Sequence, residues 1–396
     1  MSDLYYDQYD YQIDNDPYPI LKRLRDEAPV WYNEKYNFWV LSRFDDVLTA
    51  SKDHQTFSSA WGTVLELMPE EPGQSTIIIN NDPPYHSQMR RLVATRFSPR
   101  YVMALEEEIR AIVIGYLTPL ENKQSFDFVQ DFCRWIPMEV VSALLGVPKQ
   151  DRKQINTWGD EILHRDEGQT DESGICKAAR EGMISYFSAA MYERRTNPQD
   201  DLMSLIATGE IRLEDGTTRN LTDGEAIEYI FLLAAAGNET VARLLANACC
   251  YLSWHPDQHQ KLKDKPSLIP QATEELLRFD PPSPIQFRRS LKEVQLHGIT
   301  IPAGSNIALS TAGAARDERR YPNPDRLDFD RHEHHLSLGE GVHACLGAHV
   351  ARLEIRIALE EFIKRFPSWQ VDKAGLKRVR TSTVRGYSNV PITVER

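Results

Sequence analysis

The 396-residue sequence predicts a mainly α-helical protein with a small β portion. Most of the chain carries apolar residues at helical spacing, whereas only two patches alternate in the manner of strands. No repeat, low-complexity tract or glycine/serine linker interrupts the chain. The sequence therefore indicates one domain over residues 1–396.

The two strand-rich patches lie near the N-terminus and after the middle of the chain. Residues 28–32 and 37–41 are typical of a short hairpin. Residues 294–296 and 299–301 alternate, and a Pro-Ala-Gly turn leads into a further strand at 306–309.

The segment 221–254 predicts one long, buried helix. Thr222 and Glu225 form a capping box at its start, and no proline follows until Pro256, about 30 residues later. Gly237 and Glu239 interrupt its apolar middle, and such a local conflict often marks a functional site. An ion pair between Glu239 and Arg243, four residues on, explains this break equally well.

Residues 338–347 form a glycine-rich loop that leads into another helix, whose apolar seam repeats at spacings of four, three and four. Cys345 lies beside the start of that helix, where free backbone N–H groups and the helix dipole stabilise a thiolate. The glycines allow a large, flat group to approach the backbone. Cys345 is therefore a candidate nucleophile or metal ligand.

Three further polar patterns are ordinary when each is taken alone. Glu275 and Arg278 share a helix face at a spacing of three. His86 and Arg90 share a face at a spacing of four and could hold an anion together. Arg288 places a cation in an otherwise apolar strand.

Together these motifs resemble a cytochrome P-450. Cys345 in its loop, Glu275-x-x-Arg278, residues 236–240 and residues 321–326 occur in the order and spacing of that family over nearly the full length. The resemblance is to the soluble bacterial branch. It implies a single-domain cytochrome P-450 fold with haem between the long central helix and the Cys-loop helix. It also implies a monooxygenase that inserts one oxygen atom from O2 into its substrate.

The resemblance also assigns roles to residues. Cys345 would be the axial thiolate of haem b, and Thr240 with Glu239 would deliver protons. Gly237 and Thr240 would open the central helix locally for O2 and water. The residues assigned to the haem are His86, Arg90, Arg288 and His343 at the propionates, with Ala236, Gly237, Leu338 and Gly339 beside the ring. The residues assigned to a structural ion-pair network are Glu275, Arg278 and Arg326.

Two positions depart from the family pattern. Leu338 replaces the phenylalanine usual seven residues before the cysteine, and Leu327 replaces the one usual after Arg326. We expect a modest change in haem retention or reduction potential, without loss of ligation.

The resemblance further implies a hydrophobic substrate of terpenoid, steroid or branched-lipid type. The residues assigned to its pocket are Ile78, Ile79, Leu232, Ala235, Ala236, Ile285 and Val384. Because no dinucleotide fingerprint follows a strand, electrons would come from a separate ferredoxin, or a flavodoxin, with its reductase. The arginines expected to form a basic docking patch for that donor are Arg90, Arg91, Arg96, Arg100, Arg352 and Arg356.

Composition and charge limit the classes of partner and the cellular location that we expect for the protein. Lys+Arg 46 against Asp+Glu 58 gives a net charge of −12, which disfavours nucleic acid and anionic membrane surfaces. Five cysteines without a CxxC pair are too few for a disulfide scaffold. The acidic, tyrosine-rich first residues do not resemble a signal peptide. We therefore expect a cytoplasmic monomer that binds neither membrane nor nucleic acid.

Two other functions compete with the monooxygenase. A haem protein that only senses or carries a ligand would keep Cys345 but need no proton relay. A zinc hydrolase could use a His/Cys cluster, although zinc would not explain the glycine-rich loop or the polar break in the central helix. The members of that cluster are His332, His334, His335, His343, Cys345 and His349.

Overall fold

The computed structural model describes residues 4–69, 72, 77–163, 174–213, 215–381 and 383–395. Helices account for 55% of the structure and strands for 13%, which confirms the mainly α fold class. The helices are α1 Tyr11–Asn15, α2 Tyr18–Glu27, α3 Phe44–Lys52, α4 Tyr85–Val93, α5 Pro99–Met103, α6 Glu106–Leu117, α7 Trp135–Leu145, α8 Lys149–Leu163, α9 Gly174–Thr196, α10 Leu202–Thr208, α11 Asp223–Trp254, α12 Pro256–Asp264, α13 Ile269–Phe279, α14 Thr311–Ala315 and α15 Ala348–Arg365.

The strands form one larger sheet and several small ones. They are β1 Val30–Asn33, β2 Phe38–Leu41, β3 Phe57–Ser58, β4 Ser125–Asp127, β5 Glu210–Arg212, β6 Thr218–Asn220, β7 Gln286–Ser290, β8 Val294–Leu296, β9 Ile299–Ile301, β10 Asn306–Leu309, β11 Ser368–Val371, β12 Lys377–Arg378, β13 Tyr387–Asn389 and β14 Pro391–Glu395. The five-stranded sheet has the order β1-β2-β10-β7-β3, with only the β2/β10 pair parallel. β11, β14 and β4 form a second sheet, and the remaining strands pair as hairpins. The strands predicted from both sequence patches are confirmed.

The long helix α11 crosses the molecule and packs against α7, α9 and α15. Its capping box is formed, because the Glu225 N–H donates to the Thr222 hydroxyl at 3.3 Å and the Thr222 N–H donates to Glu225 at 2.7 Å. The helix ends before Pro256, as predicted. Within the described residues, α11 is also the one helix long and apolar enough to cross a membrane, but 56% of its most apolar stretch is buried inside the protein. A core helix passes the same test.

The main hydrophobic core surrounds α11 and extends to α7 and α15. Two smaller cores lie beside the five-stranded sheet, one of which contains Phe38, Ile285 and Phe287. This arrangement brings the centre of α11 close to the loop before α15.

Candidate active site

A cavity of about 250 Å³ lies between α11, the loop before α15, and α15 itself. Its walls are mostly apolar, with a few polar side chains. It is lined by Ile78, Ile79, His86, Arg90, Phe97, Val141, Leu144, Leu232, Leu233, Ala236, Gly237, Thr240, Val241, His343, Ala344, Cys345, Leu346, Gly347, Val350, Ala351 and Glu354.

α11 contributes Ala236, Gly237 and Thr240 to one wall. Ala236 is exposed although the helix lies in the core, so its exposure is to the cavity. A side-chain carbon at Gly237 would lie 3.1 Å from Cγ2 of Val141, so the glycine permits close packing with α7. The helix is continuous across this segment, and the Thr240 hydroxyl donates to the Ala236 carbonyl at 3.3 Å. The local opening expected at Gly237 and Thr240 is therefore not present.

The Glu239 carboxylate forms an ion pair with Arg243. Its carboxylate accepts two 2.8 Å hydrogen bonds from the Arg243 guanidinium, and both side chains are buried. Arg243 also donates to the Tyr387 carbonyl at 2.9 Å. Gly386 makes room for this contact, because a side-chain carbon there would lie 2.6 Å from Cβ of Arg243. The ion pair considered from the sequence is thus formed, and Glu239 is not among the residues that line the cavity.

The glycine-rich loop holds Cys345 against the cavity. The Cys345 N–H donates to the Leu338 carbonyl at 2.7 Å, and the backbone N–H of Gly347 donates to the thiol. Gly339 and Gly341 have φ of +71° and +69°, and a side chain at 341 would lie 2.8 Å from the Ser51 carbonyl. Leu338 and Gly339, assigned to the haem, support this loop and do not line the cavity.

Cys345 differs from the other four cysteines, which all lie in the described chain and are buried. Cys345 is exposed and is one of the residues that line the cavity, so its exposed surface faces the cavity. Burial raises its pKa, and the Gly347 N–H opposes that effect. A cation or metal in the cavity would favour the thiolate.

Three basic side chains, His86, Arg90 and His343, line one side of the cavity, and Arg288 lies near His343 behind that wall. The rings of His86 and His343 lie 4.3 Å apart, and Nδ1 of the first and Nε2 of the second are buried without a hydrogen-bond partner in the described residues. Arg288 is buried and donates to the Phe287 carbonyl at 2.7 Å. Within the part of the chain described, no carboxylate forms an ion pair with Arg90 or Arg288. We call these four side chains the cationic cradle.

The electrostatics of the cradle show an excess of positive charge. Burial, with a further contribution from Arg90, lowers the pKa of His86 to about 4. Burial and the nearby Arg288 lower the pKa of His343 to about 2, and burial lowers that of Arg288 to about 10. Asp82 is the nearby carboxylate, but it accepts hydrogen bonds from Ser58 and Ser59. The cradle therefore suits the carboxylates of a bound molecule.

Glu275 organises a separate, fully paired network. Arg278 donates to its carboxylate at 2.7 and 2.8 Å, and Arg331 lies 3.3 Å from it. The expectation that Arg326 is the third member is wrong: its side chain is exposed, and only its carbonyl approaches Arg278, at 3.4 Å. The Asp328 N–H bonds to Glu275 at 3.0 Å, which places the following turn, and with it Arg331, over the carboxylate.

The predicted substrate pocket is partly wrong. Ile78, Ile79, Leu232 and Ala236 line the cavity, whereas Ala235, Ile285 and Val384 do not. Ile285 is buried in the small core with Phe38 and Phe287. Ala235 precedes Ala236 on α11 and so points about 100° away from it. Val384 lies in a turn closed by its N–H bond to Thr381.

Sequence reasoning missed several walls of the cavity. Val141 and Leu144 lie on α7, which is apolar on nearly all sides, so its pattern did not identify a cavity face. Glu354 also lines the cavity and was not singled out. Its spacing of four from Val350, within the apolar seam of α15, was the available signal.

The expected basic patch is smaller than predicted. Arg96 pairs with Asp200, Arg352 with Glu274 at 2.7 Å, and Arg356 with Glu106 at 2.6 Å. Arg90 faces the cavity. Of the six predicted arginines, all of which lie in the described chain, Arg91 and Arg100 remain exposed and without an ion pair.

The His/Cys cluster does not assemble. In the described ranges, no three His, Cys, Asp or Glu side chains converge as a metal site. Nε2 of His334 lies 2.5 Å from Glu340, and Nε2 of His335 lies 3.3 Å from Glu274. His349 is exposed. The zinc-hydrolase alternative therefore has no site here.

Comparison with known proteins decides the family. The sequence profile described as Cytochrome P450 matches residues 20–384. The chain belongs to the cytochrome P450 family. The Putative cytochrome P450 123 of Mycobacterium tuberculosis is 37% identical to it, over 99% of this chain and 98% of that protein. The Putative cytochrome P450 YjiB of Bacillus subtilis is 33% identical, over 94% and 92%.

Solved P450 structures agree in fold. CYP109Q5 from Chondromyces apiculatus is 30% identical and superposes with a TM-score of 0.87, covering 98% of each chain. CYP109E1 from Bacillus megaterium, solved in complex with testosterone, is 29% identical with a TM-score of 0.87, covering 97% and 99%. The predicted P450 fold is thus confirmed. As a P450, the protein is a monooxygenase of the oxidoreductase class, and its family binds haem through a cysteine thiolate.

The residues around the cavity fit that group. One exposed thiol lies in the wall, apolar side chains cover most of the remaining surface, and the cationic cradle supplies positions for two carboxylates. A haem requires a metal ligand, apolar contact and partners for its propionates.

Proposed function

We propose that the Cys345 thiolate would hold the iron of haem b and that the cavity beside Thr240 would hold the substrate. One observation carries the assignment: Cys345, the exposed one of the five cysteines, lines a cavity that is also lined by His86, Arg90 and His343 of the cationic cradle. When bound, haem supplies the activation of O2 and the insertion of one oxygen atom into the substrate. We assign this activity to one domain spanning residues 1–396.

The chain's own residues would bind the haem and hold a proton at the cavity wall. The Gly347 N–H would stabilise the thiolate at Sγ of Cys345, and the cradle would hold the two propionates by charge-assisted hydrogen bonds. Thr240 Oγ1 holds a proton at the cavity wall, where its bond to the Ala236 carbonyl fixes its position. Glu239, assigned from the sequence to the same proton delivery, is held by Arg243.

The proposed substrate is a hydrophobic molecule of terpenoid, steroid or branched-lipid type. Apart from Thr240, the side chains that α11 and α7 contribute to the cavity are apolar, including Leu232, Leu233, Val141 and Leu144. Among the described residues that line the cavity, Glu354 is the one charged residue outside the cationic cradle. No cation other than those of the cradle is therefore placed to bind a substrate carboxylate. The structural relative solved with testosterone supports the steroid member of this class.

We further propose that a small acidic ferredoxin, or a flavodoxin, with its reductase supplies the electrons. Arg91 and Arg100 are the exposed cations that support such docking. The paired state of Arg352 and Arg356 makes them weaker contributors, since a neighbouring carboxylate already neutralises each. The protein is proposed to be a cytoplasmic monomer.

The first test is the absorption spectrum of the purified protein, oxidised and then reduced under carbon monoxide. We expect a strongly red-shifted Soret band that disappears in Cys345→Ala and persists in Cys133→Ala. Cys133 is the matched control because it is buried and its thiol donates to the Ala242 carbonyl at 3.5 Å.

Other outcomes would identify the alternatives. Haem without the red shift would contradict thiolate ligation by Cys345. A haem-free protein with stoichiometric zinc would return attention to the hydrolase. The expected spectrum without turnover of any hydrophobic substrate, despite reduction, would favour the sensor or carrier.

A further inference from the structure

The short helix α4 carries two residues of the cationic cradle, His86 and Arg90, to the wall of the cavity. It has nine residues, and Pro84 at its N-cap position makes no side-chain hydrogen bond to the first turn. A helix of this length is marginal by itself in water, so other segments must hold it in place. The position of the two cradle residues therefore depends on what anchors α4.

The side chains of His86 and Arg90 do not supply that anchor. Burial first, and then the charge on Arg90, lower the pKa of His86 to about 4, so the imidazole is neutral near pH 7. Nδ1 of His86 is buried without a hydrogen-bond partner in the described chain, and no described carboxylate pairs with Arg90. No attraction from the chain's own acids therefore draws either side chain to the cavity wall.

A buried tyrosine of α11 holds the backbone of α4 at Arg90. The Tyr229 hydroxyl donates to the Met89 carbonyl at 3.0 Å, and both residues are 0% exposed. That carbonyl belongs to the peptide group that joins Met89 to Arg90. Burial raises the pKa of Tyr229 well above its ordinary value, and the nearby Arg90 opposes that effect. The phenol therefore keeps its proton, and its hydroxyl lies close to the backbone that carries Arg90.

A second phenol makes the reciprocal link, from α4 to α11. The Tyr85 hydroxyl donates to the Glu225 carboxylate at 2.9 Å, and Arg219 fixes that carboxylate through bonds of 2.6 and 2.7 Å. Tyr85 and Met89 lie one turn apart on α4, and Glu225 and Tyr229 lie one turn apart on α11. Two attachments at successive turns fix the rotation of α4 as well as its distance from α11.

We propose that Tyr229, together with Tyr85, positions the cradle for the carboxylates of haem by holding α4 with His86 and Arg90 at the cavity wall. This inference rests on the proposed function, because haem is the molecule whose carboxylates are bound there. Neither tyrosine is among the described residues that line the cavity, so both act through α4 and are positioning residues.

The consequence is measurable on the haem-loaded protein. A loosely held α4 lets His86 and Arg90 withdraw from the haem carboxylates, so haem should be lost faster. The negative charge of those carboxylates is then neutralised less well, which favours the oxidised and more positive iron. The reduction potential should therefore shift to lower values.

The first test is Tyr229→Phe in the haem-loaded full chain, since this substitution removes the hydroxyl and keeps the buried ring. The loss of one such hydrogen bond corresponds to about a 2- to 10-fold change in an equilibrium constant. Haem transfer to an excess of haem-free globin should accelerate by about that factor, and the reduction potential should fall. Tyr85→Phe should act in the same direction, and it tests the same link if Tyr229→Phe does not fold.

Tyr186→Phe is the matched control. The Tyr186 hydroxyl also joins two helices, because it donates to Asp151 of α8 at 2.9 Å from α9, but Tyr186 is not among the described residues that line the cavity. Its removal should leave haem transfer and reduction potential unchanged, even where it lowers the free energy of unfolding. Equal changes in Tyr229→Phe and Tyr186→Phe would overturn the proposal.

A double variant separates positioning from a general effect on stability. If Tyr229 acts through Arg90, its hydroxyl matters less once the guanidinium is absent. Tyr229→Phe should therefore accelerate haem transfer by a smaller factor in the Arg90→Met background than in the wild type. The same factor in both backgrounds would show that Tyr229 acts independently of Arg90, and would contradict the proposal.

Amide hydrogen exchange of residues 85–93 distinguishes failure of this inference from failure of the proposed function. We expect faster exchange there in Tyr229→Phe and unchanged exchange in Tyr186→Phe, with or without haem. If the carbon monoxide spectrum lacks the red shift, the proposed function fails, whereas exchange still reports how α4 is held. If the spectrum is as expected but exchange, haem transfer and potential are unchanged in Tyr229→Phe, only the positioning role fails.

Discussion

Two regions of this protein contain buried cationic side chains, the Glu275 network and the cationic cradle. They differ in whether a carboxylate of the chain neutralises those cations. Around Glu275, the guanidinium of Arg278 has two carboxylate bonds and three carbonyl partners at 2.7, 2.9 and 3.4 Å, and Arg331 completes the group. In the cationic cradle, Arg288 has a single carbonyl partner and two histidine nitrogens have none within the described chain.

This difference distinguishes a cluster that stabilises the fold from a cluster that binds a ligand. A buried cation with a carboxylate beside it stabilises the fold it belongs to, and removal of one partner leaves the other uncompensated. A buried cation without a carboxylate costs free energy until a ligand arrives. The cradle is therefore a site prepared for an anion, whereas the Glu275 network is complete.

The largest expected effect is on the complete network. Glu275→Gln leaves Arg278 and Arg331 buried without their carboxylate, so we expect the free energy of unfolding to fall by about 3–5 kcal/mol. Urea unfolding measures this change. Arg326→Met is the control, and because Arg326 is exposed it should change stability by less than about 0.5 kcal/mol. Equal effects of the two substitutions would show that the network does not stabilise the fold.

A smaller effect, on binding and not on folding, is expected at the cradle. Arg288→Met removes a desolvated cation, so the haem-free chain should be as stable as the wild type or more stable. Haem affinity should fall on the order of 10- to 100-fold, the value of a hydrogen bond to a charged group. Urea unfolding of the haem-free chain and haem titration measure the two quantities.

Arg289→Met provides the matched control for the cradle, because Arg289 is the next residue on β7 and bonds instead to Asn306 at 2.6 Å. It should leave haem affinity unchanged. Destabilisation of the haem-free chain by Arg288→Met would break the distinction between the two regions.

The smallest effect is expected at the start of α11, where neighbouring groups stabilise the buried carboxylate of Glu225. Burial alone would raise the pKa of Glu225, but bonds from Arg219, the Thr222 N–H and Tyr85 hold it at about 2. Because this pKa is lowered by folding, Glu225 stabilises the protein above about pH 4.5, and that contribution is lost as the pH falls towards 2. Glu225→Gln should cost about 1 kcal/mol at neutral pH, and should flatten the acid limb of the stability profile. An unchanged acid limb would contradict the assigned bonds.

The sequence predicted features whose interactions are local. The capping box of α11 joins residues three positions apart, and the glycine-rich turn before α15 needs only its own positive φ values. The pairing of Glu239 with Arg243 was also available as an alternative, since one helical turn separates them. Local geometry alone could not choose between that pairing and a role in proton delivery.

Where the prediction was wrong, partners come from distant parts of the chain. Arg331 replaces Arg326 because a hydrogen bond from Asp328 to Glu275, 53 residues apart, places the turn that carries it. Arg352 meets Glu274 across 78 residues, which removes it from the expected basic patch. Ile285 faces a small core formed with Phe38, not the cavity.

The sequence by itself thus determined the family, the mainly α fold and the position of Cys345 beside a helix start. These depend on residue type and short spacing, which fix local conformation and chemistry. Only the tertiary structure decided which charges are neutralised, which glutamate faces the cavity and which apolar side chains line it. Burial and ion pairing depend on the segments that meet in space, and an amphipathic or apolar pattern is compatible with several such partners.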